Sequence, residues 1–427
     1  MNHAGMNTQK KLTEIVEWFE HSFPETLPER LIGLEKEYPV VCAGTYEAGD
    51  ARAIFQPLIE LGWIPLFDDV YRQEIMGVIR HGIRISTDAG WCTLEIMMPP
   101  MPAVLEATSI LQDTERLIGR IARDVGLIVL GYGIQPVTKP GAHLWNKRYR
   151  GEVARSALPD AFKNLTITAS DQVHVGIARH ELVQSANVFN ALSGIFVRLF
   201  AHAPFWGGVL DSNGRTAVRE TMWDEIGVDT TGIPPHRSET TEEYVRYMAA
   251  LPMRLAKREG VYVVPGVSFV EWAMEHEDWR KQWKYHESCT WHDARLRAMF
   301  GTVEIRPVCS QMPGENARLA AMVLGLAENL DEAARFVEGV EWHEWITMRQ
   351  NILCGSPDER IASVTTEALD IARDGLKKKN AQDAPLLDAL YERSEHNIFP
   401  ADVLGECIKQ GGVHALIERA RIGPATS

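Results

Sequence analysis

Near the N-terminus the apolar residues Leu12, Ile15, Val16 and Phe19 recur at i, i+3, i+4 and i+7, which predicts an amphipathic helix ending before Pro24 and Pro28. Beyond the prolines the period changes from helical to two. Segment 31–41 alternates so that Gly33, Glu35 and Glu37 share one face. The pattern returns in 92–97, where Leu94 and Ile96 oppose Glu95, and in 170–177, where Val173, Val175 and Ile177 oppose Gln172 and His174. It returns again in 301–306, with Val303 and Ile305 set against Glu304 and Arg306. Helical spacing fills 103–125, 181–202 and 241–257, so strands and helices interleave. From about 314 onward only helices are predicted, near 315–338, 358–378, 384–395, 400–410 and 412–421. The expected organisation is an N-terminal helix and linker over 1–30, one sheet domain over 31–313 and a helical subdomain over 314–427 packed on it.

Composition narrows the class. A chain of 427 residues with 45% hydrophobic and 24% charged residues, Gly 33 and Pro 22, is that of an ordinary globular protein of two or three domains. The net charge of −14 argues against nucleic acid or an anionic membrane as partner, because the long-range field repels phosphate. Six dispersed cysteines without a C-x-x-C pair are expected to be reduced thiols. The first thirty residues lack the apolar region of a signal peptide, and the apolar stretch 186–201 carries Asn187, Asn190, Ser193 and Arg198, which marks a core helix rather than a membrane span. The expected location is cytoplasmic.

The polar faces of the four strands carry the chemistry. A single strand Glu is most often a solvated residue, and a single His is as often structural as a ligand. Here Glu35, Glu37, Glu95, His174, Glu304 and Arg306 recur opposite strongly apolar faces on four strands. Carboxylates two apart on a strand lie roughly 7 Å from each other, a spacing for neighbouring cations rather than a shared hydrogen bond. Hard ions such as Mg²⁺ or Mn²⁺ take carboxylate oxygens, tolerate an imidazole and bridge ATP phosphates. The segment 271–293 is dense in Trp and His. A zinc site drawn from His286, Cys289 and His292 has too short a spacing and lacks a clear fourth ligand, so aromatic packing is the expected role. No Walker A, G-x-G-x-x-G, G-x-S-x-G or C-x-x-C motif occurs.

The ordered motifs carry a family likeness. They are Gly33-Leu-Glu-Lys-Glu37, the stretch from Ile85 through Gly90 to Glu95, Gly131-Tyr-Gly-Ile-Gln-Pro136, Lys147-Arg-Tyr149, Gln172-Val-His-Val-Gly176, Ala203-Pro-Phe-Trp206, Arg219-Glu-Thr-Met-Trp223 and Gly301-Thr-Val-Glu-Ile-Arg306. In this order the chain resembles plant-type and proteobacterial glutamate–cysteine ligases and the related bacterial carboxylate–amine ligases, from about residue 31 to about 410. The resemblance implies an α+β, glutamine-synthetase-like fold: a curved, mainly antiparallel sheet with helices on its outer face. It also implies Mg²⁺ ions, ATP and an acidic amino acid on the concave side. The implied reaction is phosphorylation of a carboxylate, glutamate first among donors, followed by attack of an amine, with cysteine the default acceptor.

Residue by residue, the likeness assigns Glu35, His174 and Glu304 to one ion and Glu37 and Glu95 to another, with Arg306 at the transferring phosphoryl group. A salt bridge to neighbours of Glu304 is the alternative for Arg306. Gln172, Arg219 and Arg258 are the implied substrate-binding residues, since Arg forks recognise carboxylates, and Lys147, Arg148 and Tyr149 are implied on a loop at the nucleotide. Two departures bear on the substrate. Bulky Trp91 and the Met97-Met98 pair replace a smaller run, and Thr230-Thr231-Gly232 stands where the family has Arg-Thr-Gly, removing one positive charge. A ligase with another carboxylate or amine, or a non-catalytic binding relative, are the alternatives.

Overall fold

The computed structural model describes residues 3–227, 229–356 and 359–423, so the outermost residues of the predicted terminal segments lie outside the described residues. Nine strands form the main sheet: β1 (Ile32–Cys42), β2 (Ile64–Phe67), β3 (Ile75–Arg80), β4 (Ile83–Thr87), β5 (Thr93–Met97), β6 (Leu127–Val129), β7 (Asp171–Gly176), β8 (Ala294–Arg297) and β9 (Thr302–Ile305). Their order is β8-β9-β7-β1-β5-β4-β3-β2, with β6 on the C-terminal part of β1, and every pairing is antiparallel. The four predicted strands become β1, β5, β7 and β9, adjacent at the centre of the sheet. Strands β2, β3, β4, β6 and β8 were not foreseen.

One face of this sheet is apolar. Leu34, Leu94, Ile96, Val173, Val175, Val303 and Ile305 are all buried; the helices Val104–Asp124 and Asn316–Glu328 pack on β1, β6 and β7, and the helix Leu182–Ala191 on β8 and β9. The second of these helices is the first of the C-terminal tail, so its Leu319 and Val323 join the sheet residues in one continuous core. It also crosses the helix Ile361–Lys379 with backbones in contact: a Cβ at Gly325 would overlap the carbonyl of Ala372, and one at Gly375 that of Gly325.

Helix boundaries follow local chemistry. The N-terminal helix runs His3–His21 and buries Ile15 and Phe19, while its Trp18 packs edge-on against Trp279 and Trp283. The Trp-rich segment is therefore the seat of that helix. The helix expected over 181–202 is interrupted at Leu192, giving Leu182–Ala191 and Ser193–Phe200. Its buried Asn190 exchanges two hydrogen bonds with the backbone of Ala294, at 2.8 and 3.0 Å, and pins the start of β8. The helix expected to reach 257 stops at Ala250 because Leu251, preceding Pro252, is forced into extended backbone. The expected helix 315–338 divides at Asn329, and an unforeseen helix, Trp342–Leu353, follows it. Among the described residues no helix is long and apolar enough to cross a membrane.

Candidate active site

The register of the sheet assembles the polar residues in rows. Glu37 lies opposite Glu95, Glu35 opposite Gln172, and His174 opposite both Gly33 and Glu304. Glu304 in turn faces Arg295, and Glu95 faces Ser86. Cross-strand partners project to the same side, so one surface carries all of them.

Two groups of potential metal donors result. Oxygens of Glu37, Asp88 and Glu95 lie within 4.8 Å of one another. Glu37 is held by Ser170, whose N–H and Oγ–H donate at 2.7 and 3.0 Å, and by the amide of Gln172 at 2.9 Å. Glu95 accepts from Ser86 Oγ at 2.9 Å. Burial raises all three carboxyls. Glu37 is pushed well above its usual range by burial and then by Asp88, and Glu95 is raised to about 7 by burial and then by Asp88 and Glu35. Three carboxylates crowded with too little positive charge are a donor set for a hard divalent ion. Asp88 completes this group and was missed in the sequence, because it stands one residue beyond the end of β4, where strand alternation gives no signal.

The second group is Glu35, His174 and Glu304. His174 Nε2 lies 3.3 Å from Glu35 Oε1 and 3.8 Å from Glu304 Oε2, with no aligned hydrogen bond, while Nδ1 meets Thr302 Oγ1 at 3.1 Å. A proton on Nδ1 leaves the Nε2 lone pair facing the two carboxylates, the arrangement of a ligating imidazole. With the ring proton on Nε2 instead, the imidazole N–H faces Glu35, and this contact, with Arg297 beside it, outweighs burial and holds that carboxyl below its usual value.

Glu304 is more heavily engaged than alternation alone implies. Arg295 grips it through two 2.9 Å hydrogen bonds, and Arg297 and Arg306 both pair with it. These three guanidiniums outweigh burial and hold the carboxyl well below the usual range. Arg295 and Arg297 follow the same two-residue alternation as the other strands, with Ala294 and Leu296 buried between them, and that is the signal by which β8 was available. Arg306 also donates to Gln172 Oε1 at 2.7 Å, so Gln172 joins Arg306 to Glu37 and its amide is consumed in positioning them. The ion pair of Arg306 is thus with Glu304 itself and not with a neighbour of Glu304, and its side chain still lines the adjoining cavity.

Two cavities meet at Glu35. One, of about 320 Å³, is lined by Glu37, Asp88, Glu95, Arg148 and Arg306 and walled by the rings of Trp145, Phe162, Trp223 and Trp291. Those rings touch in sequence, with centroids 5.6 Å apart for Trp145–Phe162, 5.3 Å for Phe162–Trp291 and 6.1 Å for Trp223–Trp291. The other, of about 550 Å³, is mainly apolar and is lined by Leu27, Leu31, Ile79, Met97, Met98 and Phe300, with Arg84 and His174. Met97 and Met98 are thus cavity residues, whereas Trp91 donates its indole N–H to the His143 carbonyl outside both cavities.

The remaining expectations divide. Arg148 reaches the polar cavity and bonds the carbonyls of Thr87 and Met76, placing its charge beside Glu95 and Asp88. Lys147 is exposed in a separate depression with Tyr71 and Arg72, and Tyr149 packs against Tyr71 and Tyr262. The structure thus gives the three residues of this turn separate surroundings, with only Arg148 lining the polar cavity. Arg219 is buried, and its Nη1 donates to the Arg306 carbonyl at 3.3 Å and pairs with Glu220; it lines neither cavity. Arg258 is exposed at the tip of the hairpin formed by Ala256–Arg258 and Val261–Val263, away from both cavities. Thr230 is buried and contributes no charge. His286, Cys289 and His292 have separate surroundings: His286 meets the Met248 carbonyl, His292 meets Tyr247, and Cys289 packs with Leu255 and Tyr262.

Comparison with known proteins agrees with this architecture. The model of glutamate–cysteine ligase family 2 (GCS2) matches residues 31–392. The chloroplastic glutamate–cysteine ligase of Brassica juncea is 22% identical over 363 residues, covering 78% of this chain and 68% of the relative. That of Arabidopsis thaliana is 21% identical over 367 residues, with 78% and 67% covered. Among solved structures, a glutamate–cysteine ligase of Francisella tularensis in complex with AMP superposes with a TM-score of 0.53 at 11% identity, covering 93% of this chain and 89% of that one. A bifunctional glutathione synthetase of Pasteurella multocida gives 0.54 at 13% identity over 98% of this chain, which spans only 52% of that longer protein. The structural likeness establishes the α+β, mainly antiparallel fold, and the match of the family model over most of the length places the chain in glutamate–cysteine ligase family 2.

Proposed function

We propose that this protein is an ATP-dependent carboxylate–amine ligase that activates the γ-carboxylate of glutamate and joins it to an amine, cysteine in the first instance. The observation that carries the reading is the polar sheet face on which two groups of metal donors and Arg306 stand where two cavities meet. The apolar cavity suits the base of a nucleotide, and the polar one, with its arginines, suits a carboxylate-bearing amino acid. Glu37, Asp88 and Glu95 would hold one Mg²⁺, and Glu35, His174 and Glu304 another. Bound there, the ions would neutralise the triphosphate and polarise its γ-phosphoryl group.

The protein's own contribution is positional. A carboxylate oxygen attacks the γ-phosphorus as the bond to the β,γ-bridging oxygen breaks and ADP leaves. The amine nitrogen then attacks the acyl carbon, phosphate departs with the electron pair, and the nitrogen loses a proton. Arg306 is fixed for the charge spread over the transferring group by its bonds to Glu304 and Gln172. The six unbridged cysteines are in keeping with a reducing, cytoplasmic setting.

The test is to incubate the purified chain with ATP, Mg²⁺, glutamate and cysteine, then with panels of other acids and amines, reading ADP and product mass. Amino-acid-dependent ADP release with a γ-glutamyl product is expected, and Arg306→Lys lowers kcat about a hundredfold. The absence of any amino-acid-dependent ADP release across the panel would refute the proposal.

A further inference from the structure

Of the five arginines lining the polar cavity, four are committed to neighbours. Arg148 bonds the carbonyls of Met76 and Thr87, and Arg150 bonds Ser288 Oγ. Arg295 grips Glu304, and Arg306 joins Glu304 to Gln172. Arg155 is the exception: it lines the same cavity, yet among the described residues no hydrogen bond or ion pair engages its guanidinium. It is half-buried at the last turn of the helix Tyr149–Arg155 and lies with its guanidinium carbon 4.7 Å from the centroid of Trp145. Gly151, on the same helix, leaves room for it, since a Cβ there would come within 3.3 Å of Arg155 Nη1. Stacking on an indole fixes the plane of the fork without using its N–H donors. Burial disfavours the charge of this guanidinium and the nearby Glu152 carboxylate offsets only part of that without a hydrogen bond, so its donors stay unspent; the partner its geometry matches is a carboxylate held by two parallel hydrogen bonds.

We propose that Arg155 is a specificity-determining residue that binds the non-reacting carboxylate of an amino-acid substrate. This rests on the ligase reading above. Two substrates of that reaction carry such a group: the α-carboxylate of the glutamate donor and that of the cysteine acceptor. The contact is made in the ground state, so its loss acts on KM more than on kcat.

The experiment compares wild type with Arg155→Gln and Arg155→Lys in two arms. In the donor arm the acyl phosphate is trapped with hydroxylamine, and kcat/KM is compared for glutamate and for 4-aminobutyrate, which lacks the α-carboxylate. In the acceptor arm glutamate is the donor, and cysteine is compared with cysteamine. Wild type prefers the carboxylate-bearing member in one arm. Arg155→Gln reduces that preference at least about tenfold, the loss expected for charge-assisted hydrogen bonds, mainly through KM, and Arg155→Lys retains part of it. The arm that changes identifies which substrate is bound. Preferences unchanged in both arms, no preference in wild type, or loss of both members of a pair together would overturn the assignment of Arg155 while leaving the ligase reading intact. Failure of wild type to activate any donor would overturn the ligase reading itself.

Discussion

The substitution Asp88→Asn separates the metal-site reading from a purely structural one. Asp88 is the first Coulombic cause of the raised carboxyls of both Glu37 and Glu95, and the three residues bring oxygens within 4.8 Å of one another. At an effective dielectric of about 20, two unit charges at that distance repel by roughly 3 kcal/mol. Removing Asp88 relieves two such pairs but forfeits its attraction to Arg148, Arg306 and Arg219. The net direction is given by Asp88 itself, whose carboxyl is raised by burial in spite of those arginines. Without divalent ions the variant should therefore gain roughly 1–3 kcal/mol. At about 2.1 cal/mol/K per residue over 427 residues, that is a rise in Tm of about 1–3 °C. With Mg²⁺ the order reverses, because wild type gains binding free energy through a ligand the variant lacks. Thermal melts in EDTA and in saturating Mg²⁺, read by circular dichroism, measure both effects. An Asn variant that melts at or below wild type in EDTA, or gains as much as wild type from Mg²⁺, would refute the reasoning.

Glu304→Ala tests a different balance. The strand pattern alone presents it as the loss of a metal ligand on an intact fold, but the carboxylate compensates Arg295, which is buried, and Arg297 and Arg306, which are largely so. A cost of about 3–5 kcal/mol is expected in the absence of metal, visible in denaturant melts; an unchanged midpoint would mean that the arginines find other acceptors. On the opposite face, Asp171→Asn should show a defined pH dependence. Asp171 is surrounded by Lys36, Glu115 and Tyr38, and burial, only partly offset by Lys36, Gln311 and Ser310, raises its carboxyl from 3.8 to about 7. The folded state thus binds this proton more tightly than the unfolded state, and wild-type stability falls between about pH 4 and 7, by up to about 1.4 kcal/mol per unit. The Asn variant gains on wild type through that window and levels off above it; a difference in Tm independent of pH would contradict the assignment.

What was legible in the sequence follows from what alternation encodes. A strand buried on one face writes its register into every second residue, so Glu35, Glu37, Glu95, His174 and Glu304 could be placed on one surface before any pairing was known. Asp88 and Arg155 escaped because one lies just past a strand and the other on a short helix without buried residues, where neither period operates. The short edge strand β2 was lost for a related reason: Ile64 and Phe67 are exposed, so the inner and outer faces there differ little in polarity. Arg219, Arg258 and Lys147 were placed by likeness of residue type at a motif position. Motif position does not specify where a long side chain points, and the structure sends one into the protein and two into solvent.

The two faces of β1 show why the metal donors sit in the middle of the sheet. Lys36, between Glu35 and Glu37 in sequence, points to the opposite side, where it is 1% exposed and lies 3.2 Å from Glu115 and 3.8 Å from Asp171. A strand that carries charge on both faces cannot be held by amphipathicity alone. Its pairing with β7 on one side and β5 on the other, and the bonds from Ser170 and Gln172 to Glu37, fix its register instead. A slip of one residue would turn Glu35 and Glu37 toward the apolar helices and Lys36 toward the cavity, exchanging an anionic site for a cationic one. The buried Lys36–Glu115 pair makes that slip costly, because it would leave Glu115 unpaired in the core. The same charge that interrupts the apolar face therefore helps to keep the carboxylates aligned on the other.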